Sequence, residues 1–205
     1  MPIDELVALA IAKRWEVLAV ITGIISVYLS TRENIWSWPT ALVNVALYFV
    51  VFYETKLYAD MGLQAVYFAL SLYGWYEWLY GGENRTELRV SRTARSLGVR
   101  LAIIGIACAA ILGTLLARFT DAALPYIDSA TTSTSLVAQW MMTRKILENW
   151  AVWVAVDVVY IAMFIFKRLY LTAGLYAVFL VLAVMGYVQW KRSLAERALP
   201  ERALA

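Results

Sequence analysis

The sequence contains no histidine and only one cysteine among its 205 residues. Without histidine the chain cannot form a Ser-His-Asp triad, an HExxH zinc site or an imidazole proton relay. The single Cys108, inside the apolar segment LAIIGIACAAILGT, excludes a disulfide framework and a CxxC metal pair. No GxxxxGK[ST] motif is present, so the chain has no P-loop for ATP hydrolysis. These absences exclude those catalytic and metal-binding motifs, and we predict no catalytic residue, no metal, no cofactor and a protein that is not an enzyme.

Charged residues are scarce too, at 16% of the chain, whereas 62% of the residues are hydrophobic. Soluble domains average about 25% charged and about 45–50% apolar residues. Several segments exceed the roughly 18 apolar residues of a membrane span. The composition predicts an all-α, multi-pass membrane protein with the lipid bilayer as its surroundings. The net charge of +3 is explained by cytoplasmic loops, not by a nucleic-acid partner. The start, MPIDELVALAIAKRW, lacks a small-residue cleavage site, so no removed signal peptide is expected.

The apolar segments predict seven transmembrane helices, at 15–30, 36–54, 57–79, 98–117, 130–143, 147–166 and 169–190. The fifth is short and can be extended backwards through the polar YIDSATTSTS. Seven spans place 12 of the 18 Lys and Arg residues on one side of the membrane and 6 on the other. By the positive-inside rule the richer side is cytoplasmic. We therefore predict a periplasmic N-terminal segment (1–14), a basic cytoplasmic loop (80–97) and a basic cytoplasmic tail (191–205).

Residues 31–78 align without gaps on residues 143–190, at a constant offset of 112, with 14 of 48 positions identical. The matches include two glycines and two tryptophans, which shared amphipathicity does not explain. The segments 15–79 and 130–190 are therefore predicted to be two three-helix repeats of the same membrane direction. The segment 98–117 is predicted to be a linker helix with a stripe of small residues at 105, 109 and 113. Parallel repeats are a transporter pattern, with the substrate near the midplane between them.

Polar and aromatic residues share single helix faces inside several spans. Asp157 lies mid-span, where an ionisable group costs at least ~2.5–3.5 kcal/mol, so it should face protein or a watery cavity. One alternative is that Asp157 only bonds a neighbouring hydroxyl. The other is a counter-charge in an aromatic pocket, which suits a flat, hydroxylated, cationic ligand. The candidate lining consists of Trp38, Asn44, Gln64, Tyr67, Ser71, Tyr73, Trp75, Asn149, Trp150, Trp153, Asp157, Tyr160 and Tyr176.

Other prominent residues have simpler interpretations. The arginines at 85–100 are predicted to act only as the topology signal, and Asp60 as a solvated or helix-start group. An intramembrane aspartyl enzyme would need Asp60 and Asp157 to share a proton, but they lie at different depths and no GxGD motif is present. A non-transporting scaffold would gain nothing from polar groups at mid-span. Interfacial aromatic anchors are expected at Tyr58, Trp78, Tyr80, Tyr170 and Trp190; close-packing glycines are expected at Gly62, Gly74, Gly174 and Gly186.

Three motifs, LYADMGLQ, YGWYEW and TRKILENWAVW, together resemble the PnuC family of nicotinamide riboside transporters. The likeness covers nearly all of residues 20–192. It implies a seven-helix relative of the SWEET fold, with a 3+1+3 arrangement, that forms a homotrimer in the bacterial inner membrane. It also implies facilitated diffusion of a vitamin precursor into the cell, where a cytosolic kinase traps it by phosphorylation.

The chain departs from the family pattern where Asp157 and Met185 replace asparagines, and this bears on the substrate. Relatives in the family move thiamine or riboflavin. Nicotinamide riboside and thiamine are aromatic cations, so Asp157 favours either of them over neutral riboflavin and does not choose between the two. Nicotinamide riboside is the substrate that the resemblance predicts first.

Overall fold

The computed structural model describes residues 14–54, 58–120, 124–166 and 168–203 of the chain. Within these residues it forms seven α-helices and one short 3-10 turn at Glu83–Arg85. The predicted all-α fold with seven helices is confirmed, and four helices (α1, α4, α6 and the Tyr170–Glu196 part of α7) are long and apolar enough to cross a membrane. The helices are α1 Arg14–Thr31, α2 Ser37–Glu54, α3 Tyr58–Tyr80, α4 Arg95–Phe119, α5 Pro125–Thr143, α6 Asn149–Phe166 and α7 Tyr170–Ala203.

Helix α5 is rich in polar residues and has more buried residues than the other helices. Proline at its first position suits a helix start, because the missing N–H is unpaired there in any case. Alternating hydroxyl residues at 129, 131, 133 and 135 are all buried, since α5 packs against α3, α4 and α6. The hydroxyls of Ser129 and Thr131 donate to carbonyls one turn back in the same helix, so burial leaves them satisfied. The polarity of this segment therefore reflects a central position in the bundle.

The turns that follow α1 and α5 have the same construction at positions 112 residues apart. Glu33 (φ 53°) and Lys145 (φ 46°) each adopt the left-handed conformation just after a helix end. In the first turn the N–H groups of Glu33 and Asn34 donate to the carbonyls of Ser30 and Leu29, which is the Schellman pattern. The second turn repeats both bonds with the carbonyls of Met142 and Met141. Both helix ends are thus closed by backbone bonds in the absence of glycine.

The contacts among α1, α2 and α3 correspond to those among α5, α6 and α7. Helix α2 packs between α1 and α3, and α6 packs between α5 and α7. Helix α1 also packs against α7, and α5 packs against α3. Helix α4 packs on α5, where the small residues of the predicted stripe approach closely: Gly105 faces Val137, and Gly113 faces Ser129 and Tyr126. The outer face of α4 carries exposed isoleucines at 103, 104, 106 and 111.

The basic connection between α3 and α4 is a packed element. The backbone of Ser91 pairs with the α5–α6 turn in a short parallel bridge, since its N–H donates to Lys145 and its carbonyl accepts from Leu147. The N–H and hydroxyl of Thr93 both donate to the Glu148 carboxylate at 2.9 Å. Val90 is buried, whereas the arginines at 85, 89, 92 and 95 point outwards and are exposed. The segment therefore carries charge and also ties α3 to the start of α6.

Candidate functional site

Four tryptophans, one each from α2, α3, α6 and α7, form a buried layer; we call it the tryptophan layer. Trp38 meets Trp78 edge-on at 5.3 Å between ring centroids, and Trp150 meets Trp190 edge-on at 5.4 Å. Trp78 and Trp190 lie 5.9 Å apart and join the two pairs. Edge-to-face aromatic pairs add about 0.5–1.5 kcal/mol beyond the area that they bury. The layer therefore joins α2 and α3 to α6 and α7.

Trp78 and Trp190, the two tryptophans at the centre of this layer, also donate hydrogen bonds to the ends of α5 and α1. The indole N–H of Trp78 donates to the carbonyl of Met142 at 3.1 Å, and that of Trp190 donates to Ser30 at 3.0 Å. Both carbonyls belong to the Schellman turns after α5 and α1. Trp78 and Trp190 are 2% and 0% exposed. Their prediction as interfacial anchors is therefore wrong: both side chains are buried inside the bundle.

Two of the four glycines predicted to lie at close contacts make room for this layer. A Cβ at Gly186 would approach the indole ring of Trp150 to 2.5 Å, and a Cβ at Gly74 would overlap the ring of Trp38. The prediction is wrong for Gly62 and Gly174, where a Cβ would have no neighbour within 4 Å. The glycine next to the tryptophan end of each helix is thus a packing requirement, and the glycine near its start is not.

An ion pair joins the two Schellman turns beside the tryptophan layer. The ammonium of Lys145 lies 3.4 Å from a carboxylate oxygen of Glu33 and 4.4 Å from the centroid of the Trp78 ring. The Lys145 side chain is nearly buried, so both the ion pair and the cation–π contact are shielded from water. Glu33 and Lys145 are 112 residues apart, and the pair therefore lies at the junction of the two similar halves.

Four buried polar atoms around this layer have no hydrogen-bond partner within the described residues. They are the indole nitrogens of Trp38 and Trp150, the hydroxyl of Ser37 and the side-chain oxygen of Asn149. At the 112-residue offset Ser37 corresponds to Asn149, and Trp38 corresponds to Trp150. A buried donor or acceptor without a partner costs about 1–3 kcal/mol, so such atoms are candidates for contact with a bound molecule.

A second cluster lies away from the tryptophan layer; we call it the tyrosine cluster. Tyr160 of α6 and Tyr176 of α7 have ring centroids 4.7 Å apart. Tyr67 of α3 lies close to Tyr160 and next to Ser135 of α5. Tyr48 of α2 lies within electrostatic range of Tyr176. Five helices therefore contribute hydroxyl groups to one interior region.

Asp157 is the carboxyl group of this region. It is the ninth of the 18 residues of α6, is 3% exposed, and interacts with Tyr176. The described residues give it no ion pair, since the salt bridges there involve other carboxylates. An enclosed carboxyl group among tyrosine rings can accept hydrogen bonds or balance a cation, and the rings offer π faces to such a cation.

Asn44 adds an amide on the α1 side. Its side-chain nitrogen donates to the Ala19 carbonyl at 2.5 Å, and it lies close to Gly23. Phe179 of α7, which meets Tyr176 edge-on, also approaches Gly23. The amide nitrogen is therefore occupied by α1, whereas its oxygen remains an available acceptor beside the aromatic rings.

The structure divides the predicted lining into three sets. Asn44, Tyr67, Asp157, Tyr160 and Tyr176 converge in or beside the tyrosine cluster. Ser71 is buried and Gln64 half-buried on α3, whereas Tyr73 is 38% exposed and accepts a hydrogen bond from Arg144. The remaining residues belong to the tryptophan layer or pack against it: Trp38, Trp75, Asn149, Trp150 and Trp153.

Sequence reasoning omitted Tyr48, Ser135 and Phe179 from the lining. Tyr48 and Tyr160 are equivalent at the 112-residue offset, as are Tyr67 and Phe179. The offset alone would have added Tyr48 and Phe179 once Tyr160 and Tyr67 had been chosen. Ser135 gave no such signal, because it is one of many hydroxyl residues in α5.

A bundle of apolar helices around buried aromatic and polar groups is the architecture of membrane proteins that handle small molecules. Residues 13–192 match the sequence profile of the family described as nicotinamide mononucleotide transporter, so the chain belongs to this family. The resemblance found in the sequence is thereby confirmed. The protein is a multi-pass transporter of the bacterial inner membrane and not an enzyme.

Several named proteins are similar to it over most of their length. The nicotinamide riboside transporter PnuC of Escherichia coli (strain K12) is 28% identical, over 89% of this chain and 87% of that protein. PnuC of Neisseria mucosa is 30% identical, over 85% and 71%. The riboflavin/roseoflavin transporter RibM of Streptomyces davaonensis is 28% identical, over 83% and 81%. A crystal structure described as the vitamin B3 transporter PnuC matches 94% of this chain and 87% of its own, with a TM-score of 0.73 and 23% identity, which establishes the fold.

Proposed function

We propose that the protein carries nicotinamide riboside across the bacterial inner membrane by facilitated diffusion. A cytosolic kinase then traps the substrate by phosphorylation. The observation that carries the proposal is the proximity of Asp157, Tyr160, Tyr176 and Tyr67, which come from three helices, α3, α6 and α7. The name nicotinamide riboside transporter, which the relatives from Escherichia coli and Neisseria mucosa carry, supports the same substrate.

The chemistry of the tyrosine cluster suits this ligand. Nicotinamide riboside combines a flat cationic ring with a hydroxylated sugar. Aromatic faces stabilise a desolvated cation by ~2 kcal/mol or more. The carboxylate of Asp157 would balance the charge of the ring, and the tyrosine hydroxyls and the Asn44 oxygen would bond the sugar hydroxyls.

The proposed site includes the whole predicted lining. The members in or beside the tyrosine cluster would contact the substrate at its resting position. The unpartnered indole nitrogens of Trp38 and Trp150 and the oxygen of Asn149 offer polar contacts farther along the path. The further proposed contacts are Gln64, Ser71, Tyr73, Trp75 and Trp153.

We also propose that all seven helices span the membrane as a 3+1+3 parallel repeat of the SWEET type. Support comes from equivalent contacts at the 112-residue offset: the two Schellman turns, the two indole–carbonyl bonds and the two glycine–tryptophan contacts. The N-terminus would be periplasmic and the C-terminus cytoplasmic, with the tryptophan layer in the cytoplasmic half. The exposed isoleucine face of α4 fits contact with lipid or with neighbours in a homotrimer.

Thiamine is the second candidate substrate, since it too is an aromatic cation that Asp157 would favour. Riboflavin is neutral, so Asp157 offers it no charge complement, although a relative is named for riboflavin. Binding calorimetry of the purified protein against all three vitamins separates these possibilities. We expect the highest affinity for nicotinamide riboside, and absence of heat with all three would overturn the proposal.

The variant Asp157→Asn tests the role of the carboxyl group. It removes the negative charge and keeps the size of the side chain, so the affinity for the cation should fall at least ~10-fold, or ~1.4 kcal/mol. The matched control is Asp60→Asn, the same change at an exposed residue in the first turn of α3, which should leave the affinity unchanged. Equal affinities for the two variants would contradict the counter-charge role.

A further inference from the structure

We propose that the groove between α4 and α5 binds an anionic phospholipid, with an acyl chain in the groove and the phosphate against arginines at one end. This site lies on the outer side of the bundle, apart from the tryptophan layer and the tyrosine cluster. It requires only that the protein is embedded in a bilayer, so it is independent of which substrate is carried.

The groove is a cavity of about 440 Å³ that α4 forms with α5 and the start of α6. This volume lies within the ~300–1,000 Å³ that is common for ligand pockets. Helix α4 contributes five residues between Gly98 and Ile106, spaced as one face of a helix. Three of them are glycine or alanine, which leaves the space unfilled, and Val137 and Met141 of α5 add apolar side chains. The lining along the helices is therefore mainly apolar.

The groove faces the bilayer and matches the depth of one leaflet. Ala102 and Ile106 are exposed, so the outer side of the groove is open. Helix α4 is one of the helices that can cross a membrane, and its residues are mostly exposed. At 1.5 Å per residue, Gly98 and Ile106 are ~12 Å apart along α4, and half of the ~30 Å hydrocarbon core is ~15 Å deep. An acyl chain of one leaflet therefore fits along the groove.

Arginines flank the end of the groove nearest the start of α4. Thr93 and Gly98 line this end. Arg92 directly precedes Thr93, and Arg95, three residues before Gly98, lies on the groove face of α4. Both arginines are exposed, and they make no ion pair within the described residues. The first turn of α4 contains no acidic residue, so their positive charge is not balanced there.

Glu148 also lines this end, but its carboxylate is engaged by Thr93, from which it accepts two hydrogen bonds of 2.9 Å. It makes no ion pair with either arginine in the described part of the chain. An excess of positive charge therefore remains at this end. An occupant with a long apolar chain and an anionic head group complements both parts of the site, because guanidinium groups form charge-assisted hydrogen bonds with phosphate. A zwitterionic lipid offers the same chain, but its cationic group would meet the arginines.

Native mass spectrometry of the purified full-length protein tests the site. The protein in detergent is mixed with equal amounts of phosphatidylglycerol, which is anionic, and phosphatidylcholine, which is zwitterionic, with identical acyl chains. We expect each protomer to retain phosphatidylglycerol at least ~10-fold in preference to phosphatidylcholine, since each arginine near a membrane surface favours anionic lipid by ~5-fold. Equal retention of the two lipids would overturn the proposal. Displacement of the lipid by glycerol phosphate, which has no acyl chain, would overturn it too, because the site would then bind a free phosphate.

Arginine variants locate the head group. Arg95→Gln should lower the preference for phosphatidylglycerol by ~5-fold. The matched control is Arg100→Gln, because Arg100 is also exposed on α4 but lies on the opposite face, two residues after Gly98. This control should leave the preference unchanged. An equal loss in the two variants would overturn the site, because it would show only a general attraction of the basic connection for anionic lipid.

A larger side chain in the groove tests the position of the acyl chain. Ala102→Phe fills the groove and should remove the preferential retention of phosphatidylglycerol, whereas Ala107→Phe, at an exposed alanine of α4 outside the groove, should keep it. Equal retention by these two variants would contradict the proposal. Conversion of an oligomer into monomers by Ala102→Phe, seen in the same spectra, would assign the groove to a second copy of the chain and overturn the lipid site. If Ala102→Phe fails to fold, the comparison of Arg95→Gln with Arg100→Gln decides the question.

Discussion

A methyl group added at Gly186 tests the packing of the tryptophan layer. The Cβ of alanine would lie 2.5–2.6 Å from three atoms of the Trp150 ring, whereas ordinary contacts begin at 3.4 Å. The ring would have to move by about 0.9 Å. Trp150 is 1% exposed and its ring abuts Trp190, so this movement would spread through the layer. Overpacking of this kind costs about 1–3 kcal/mol, against which the higher helix propensity of alanine returns up to about 1 kcal/mol. The net expectation is a loss of about 1–2 kcal/mol.

Thermal unfolding in detergent, followed by circular dichroism, measures this loss. A change of 1 kcal/mol shifts Tm by about 2–4 °C in a chain of this size, so Gly186→Ala should lower Tm by about 2–8 °C. The matched control is Gly174→Ala in the same helix, where the new methyl group meets nothing within 4 Å. It should leave Tm unchanged or raise it slightly.

The same experiment can be carried out at the equivalent glycines of α3. Gly74→Ala places a methyl group against the Trp38 ring, and Gly62→Ala in the same helix places one in open space. The same separation in Tm is expected between these two variants. Equal Tm values for Gly186→Ala and Gly174→Ala would refute the close packing inferred for the tryptophan layer.

Three further predictions concern contacts around the two clusters. Lys145→Met removes the cation that pairs with Glu33, and loss of this shielded pair should cost ~2 kcal/mol or more, seen as a lower Tm. Asn44→Leu removes the bond to α1 and should cost ~1 kcal/mol in the same assay and weaken nicotinamide riboside binding in calorimetry. Thr93→Val removes one of two bonds to Glu148, so trypsin should cleave the basic connection faster than in the wild type; an unchanged cleavage rate would contradict its anchoring role.

The all-α fold could be predicted because long apolar segments in a sequence indicate membrane-spanning helices. The 112-residue offset in the sequence also aligned Gly74 with Gly186 and Trp38 with Trp150 before any contact was known. The structure places each glycine against the tryptophan of its own half. Pairs of small and large residues that recur in register therefore carried information about packing that single positions did not.

The errors arose where composition fits two environments equally well. Trp78 and Trp190 lie near predicted span ends, where tryptophan is common at the lipid interface, and only their indole–carbonyl bonds to the opposite half reveal an interior role. The basic connection is rich in arginine, which explains its side of the membrane but not its pairing with the α5–α6 turn. That pairing uses backbone atoms of Ser91, which side-chain chemistry cannot forecast.

The two segments related by the 112-residue offset differ at positions that we propose line the site, and this difference has a physical consequence. At the 112-residue offset, Asp157 corresponds to the buried Val45, and Tyr176 corresponds to Gln64. Tyr160 and Tyr48, in contrast, are the same residue in both halves. A site with identical halves would accept an elongated ligand equally well in two opposite orientations. Because Val45 takes the place of the carboxyl group in the other segment, the proposed site would hold a ligand with a cationic ring at one end and a neutral sugar at the other in a single favourable orientation, with the ring beside α6.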